Sequence, residues 1–161
     1  MELHQFAALS ADLTGFDCRE LQETGMLHTY RQVVVDQTGA ERLDRLADSV
    51  AGTPDGPPRF EDDSARELAR AITHLWYVGT WPGLPDSLPP DNGAGTPQTG
   101  PYVVSSQAYE QGLVWRAFGG NAPGAAAQAH GSWADAPSEA APAPSEAAPR
   151  GARDTESVVA R

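Results

Sequence analysis

Large apolar side chains return every three or four residues along this sequence, in short blocks that stop at glycine or proline. That step is the period of one face of a helix, so the chain is expected to be all-α. Leu3, Phe6, Ala7, Leu9 and Leu13 form the first block and end at Thr14-Gly15, where a glycine can take the left-handed conformation that closes helices; a helix over 3–14 follows. Asp17 stands before Cys18 with Glu20 three residues on, a reciprocal capping pattern that opens a second helix. Leu21, Leu27, Tyr30 and Val34 carry it to Thr38-Gly39. Gly25 inside it costs about 1 kcal/mol relative to Ala, and marks either the close approach of a neighbour or a break in the helix. The run Val33-Val34-Val35 has no alternating neighbours to pair with as a strand.

Leu43, Leu46, Ala47 and Val50 define a third helix over 40–51, with Glu41, Arg42, Asp44 and Arg45 on its wet face. Asp55-Gly56-Pro57-Pro58 is a turn. Glu61, Asp62 and Asp63 put negative charge at the electropositive start of a fourth, central helix, which carries Leu68, Ala71, Ile72 and Leu75 and closes on Trp76-Tyr77-Val78-Gly79. Prolines at 82, 85, 89, 90, 97 and 101 then make the next stretch an irregular loop of about twenty residues. Ser105 or Ser106 caps a fifth helix with Ala108, Tyr109, Gly112, Trp115 and Arg116, ending at Gly119-Gly120. The expected architecture is a compact bundle of about five helices in a domain spanning 1–136, with a long Pro/Gly-rich loop between the fourth and fifth. Residues 137–161, a near-repeat of Ala, Pro, Ser and Glu with nothing large to bury, are expected to form a disordered tail.

Charge narrows the function. Lysine is absent, and 22 acidic residues face 11 arginines, for a net charge of −11. Nucleic-acid affinity comes mainly from cations displacing counterions, so nucleic acid is excluded as a partner, and an anionic membrane surface is disfavoured for the same reason. The longest apolar runs, Val33-Val34-Val35 and Leu113-Val114-Trp115, fall far short of the roughly 20 residues a spanning helix needs. Met1-Glu2-Leu3-His4-Gln5-Phe6 enters a helical pattern directly, without the basic start and apolar stretch of an export leader, so the sequence as written is expected to be cytoplasmic. Cys18 is the single cysteine and can form no internal disulfide.

Neither catalytic nor metal chemistry is expected of the chain itself. His4, His28, His74 and His130 lack metal-ligand spacing, and one cysteine cannot build a thiolate cage. His74 is the best catalytic candidate, but a hydrogen-bonded core or interface histidine is the preferred reading. Asn92-Gly93-Ala94-Gly95 and Gly119-Gly120 are turn glycines, because neither follows a strand and opens a helix as a phosphate cradle must. The unusual feature is aromatic: Trp76, Tyr77, Trp81, Tyr102, Tyr109, Trp115, Phe118 and Trp133 all follow Leu75. Aromatic side chains anchor protein interfaces, and a bundle this short is expected to enclose only about half of these. Trp81, Tyr102, Trp115 and Trp133 are the expected partner-interface residues.

Taken in order, Phe6-Ala7-Ala8-Leu9-Ser10 with Leu13-Thr14-Gly15, Gly25, Leu75-Trp76-Tyr77-Val78-Gly79, Tyr109-Glu110-Gln111-Gly112-Leu113-Val114-Trp115 and Gly131-Ser132-Trp133-Ala134 form a series over about 130 residues. The series resembles the small subunit of membrane-bound FAD-dependent sorbitol, fructose and glucose dehydrogenases. The resemblance implies that FAD and the sugar-oxidising site belong to a large subunit of the glucose-methanol-choline oxidoreductase type. It also implies a cytochrome c subunit that passes electrons to the membrane quinone, and a small subunit that supports folding, stability and export of the large one. It transfers no catalytic residue and no cofactor to this chain, and implies a periplasmic complex associated with the inner membrane. Two departures stand out. Members of that family often begin with a twin-arginine leader, and they usually end soon after the last tryptophan, where this sequence continues with an Ala/Pro/Glu tail. The rival expectations are a general helical adaptor with an unrelated partner and a small stand-alone helical enzyme using His74.

Overall fold

The computed structural model describes residues 1–51, 60, 62–85, 88, 100–120 and 122–123, all within the unit Met1–His130. Trp133, His130, the tail over 137–161 and most of the 82–101 stretch lie outside the described residues. Among the described residues the fold is all-α, apart from one small strand pair. Its helices are α1 (Leu3–Thr14), α2 (Cys18–Glu23), α3 (Leu27–Thr38), α4 (Ala40–Ala51), α5 (Asp63–Val78), α6 (Ser106–Glu110) and α7 (Leu113–Ala117). Strands β1 (Thr80–Trp81) and β2 (Tyr102–Val103) pair antiparallel, Thr80 opposite Val103 and Trp81 opposite Tyr102. None of the described helices is long and apolar enough to cross a membrane.

The helix boundaries follow local chemistry. Asp17 Oδ1 accepts the Glu20 amide at 2.8 Å, while the Asp17 amide donates to Glu20 Oε2 at 3.0 Å, so the capping pattern read in the sequence opens α2. That helix does not continue to Thr38. Gly25 adopts φ +71°, and only the nitrogen of the Gln107 side chain would come near a Cβ there, at 3.5 Å. The glycine therefore serves the backbone reversal rather than a tight contact, and the break is the correct one of its two readings. The Thr24 hydroxyl donates to the Leu21 carbonyl and accepts the Met26 amide, which satisfies the groups that the break releases. Val33–Val35 lie inside α3. Gly39 alone links α3 to α4.

Asp62 caps α5 by accepting the Ala65 amide at 2.7 Å, and Gly79 ends it with φ +73° and an amide bonded to the Leu75 carbonyl. This helix is the centre of the molecule. It buries Leu68, Ala69, Ala71, Ile72, Leu75 and Trp76, and packs against α1, α3, α4, α7 and β1. Phe6, Leu9, Leu21, Tyr30, Val34, Leu43 and Leu46 complete the core from the first four helices. The fifth predicted helix is two short ones. Ser105 caps α6 through the Ala108 amide at 3.0 Å, and the chain turns at Gln111 and Gly112 before α7 begins.

Candidate interaction surface

Of the four expected interface residues, the structure corrects one most sharply. Trp81 is 0% exposed, enclosed in the core where β1 leaves α5, so its indole is not presented to a partner. The sequence placed it in a loop because prolines follow at once; the two-residue ladder with Tyr102 draws it inward instead. Tyr102 is half-buried, and its hydroxyl accepts the Gln37 side-chain amide at 3.4 Å. Burial pushes its ionisation upward, the bond from Gln37 opposes this, and nearby Asp36 adds to the rise. Trp115 is half-buried, with Nε1 donating to the Tyr109 carbonyl at 2.9 Å and its ring meeting Tyr109 edge-on, centroids 5.6 Å apart. Trp133 lies outside the described residues.

Of the eight aromatics after Leu75, the structure buries Trp76 and Trp81, half-buries Tyr77, Tyr102 and Trp115, and leaves Tyr109 and Phe118 exposed. Trp76 is also 0% exposed, and its Nε1 donates to the Ser10 hydroxyl at 3.0 Å. Tyr30 meets Trp76 edge-on at 4.7 Å and donates its hydroxyl to the Ala108 carbonyl at 3.4 Å; burial raises its ionisation well above the ordinary tyrosine value. Polar edges of buried aromatics are thus mostly met from α1 and α6.

Among the described residues, Val103 is 60% exposed on β2 and Leu3 39% exposed at the start of α1, and the other exposed large apolar side chains lie where α5, α6 and α7 end. Phe118 is 81% exposed, Val78 40% and Tyr109 39%. The close packing beneath them comes from two glycines. A Cβ on Gly79 would collide with the Ala108 carbonyl, and one on Gly112 would stand 2.7 Å from the Tyr77 carbonyl oxygen. Without side chains, these positions let α6 and the start of α7 lie directly on the end of α5. Tyr77 ties the same end to α1 by donating its hydroxyl to the Thr14 carbonyl at 3.0 Å, with Phe16 edge-on to its ring. Arg116 reaches the Glu20 carbonyl at 3.5 Å and sets α2 beside α7. The sequence counted Phe118 among its aromatics without singling it out. Its signal was local: it follows the last turn of α7 and precedes Gly119-Gly120, so no neighbouring helix turn covers it.

His4, His28 and His74 are exposed, which corrects the core half of the reading of His74 as a core or interface histidine. Among the described residues no group of three or more His, Cys, Asp or Glu side chains could hold a metal ion. A cleft of about 180 Å³ between α4 and the start of α5 is lined by Arg42, Arg45, Leu46, Ser49, Asp62, Ser64 and Ala65, and His74 is not part of its wall.

Comparison of the chain with family models, with curated proteins and with solved structures finds no match.

Proposed function

We propose that this chain is a non-catalytic helical subunit that binds and stabilises a larger FAD-dependent sugar or polyol dehydrogenase chain and assists its folding and export. A cytochrome c subunit completes the assembly. The observation that favours a partner is Phe118, 81% exposed where α7 ends. Support for this particular partner is the resemblance of the residue series from Phe6 to Trp133 to that of the small dehydrogenase subunits. FAD and the oxidation chemistry belong, on this reading, to the partner.

On this reading the neighbouring reading frame is expected to encode a flavin-binding oxidoreductase with a Gly-rich fingerprint, and the test is co-expression with that chain. The two chains are expected to co-purify with bound flavin, and the large chain to lose solubility and dehydrogenase activity when expressed without this one. A large chain that folds and oxidises sugar unaided, or that never associates with this chain, overturns the proposal.

A further inference from the structure

We draw no further inference here: the strongest candidate, the cleft between α4 and the start of α5 lined by Arg42, Arg45, Ser49 and Asp62, carries nothing, because both arginines are already engaged and the N-terminus of α5 beside them comes with no second observation that points to a ligand.

Discussion

Trp76 and Trp81 are enclosed to the same degree, yet the fold treats their indole nitrogens differently. Trp76 donates to Ser10, whereas Trp81 Nε1 has no hydrogen-bond partner among the described residues. Replacing either by Phe removes similar ring area, so the hydrogen bond sets the difference. Trp76→Phe is expected to destabilise the chain by about 1 kcal/mol more than Trp81→Phe, because it also strips a partner from a buried hydroxyl. Urea unfolding of the two variants measures this, and equal losses refute it. The distinction was not legible in the sequence. Ser10 lies 66 positions from Trp76, and only the packing of α1 on α5 brings them together. Trp81 was misplaced for a related reason, since a proline-rich context says where regular structure stops and not whether the last side chain before it turns inward. Phe118 was not singled out either, although two glycines follow it at once.

Helices were legible wherever a cap and a complete apolar stripe coincided. The spacing predicts 3–14 and 40–51, and the structure has α1 over Leu3–Thr14 and α4 over Ala40–Ala51. It failed where apolar residues on the two sides of a turn were read as one helix: Leu21 and Leu27 flank Gly25, and Tyr109 and Trp115 flank Gly112, and each pair belongs to two helices. Strands of two residues leave no alternation to read, so β1 and β2 were invisible. The helix ends also differ in a measurable way. Gly15 and Gly79 both close helices at positive φ, but a Cβ at Gly15 meets nothing within 4 Å, while at Gly79 it strikes the Ala108 carbonyl. Gly15→Ala is expected to cost about 1–2 kcal/mol for the left-handed backbone alone. Gly79→Ala is expected to cost clearly more and to loosen α6, seen as faster amide exchange at Ala108 and Tyr109. Equal stability losses would show that the close approach carries no energy.

At the scale of the whole molecule, burial of Tyr30 couples stability to alkaline pH. Its hydroxyl ionises above the ordinary 10.0 because the core disfavours the phenolate. Above pH 10 the unfolded chain gives up this proton while the folded chain keeps it. Stability is therefore full below that point and falls as pH rises, by up to about 1.4 kcal/mol per unit for this one group. Denaturant titrations from about pH 9 to about pH 11 are expected to show the decline, and Tyr30→Phe to make it shallower. An unchanged slope in Tyr30→Phe would place the cause elsewhere. The all-α class and the acidic surface were legible from periodicity and charge, which are properties of the whole sequence. How many aromatics the bundle could enclose was not, because that depends on how closely α6 and α7 approach α5. The strand pair has a further consequence for how such a chain can vary. With Trp81 held opposite Tyr102, both ends of the segment between them are fixed, and within it Leu84 packs against the core and Leu88 is buried. Changes that remove either leucine take away buried apolar surface, so variation in this segment is expected beside Leu84 and Leu88 and not at them.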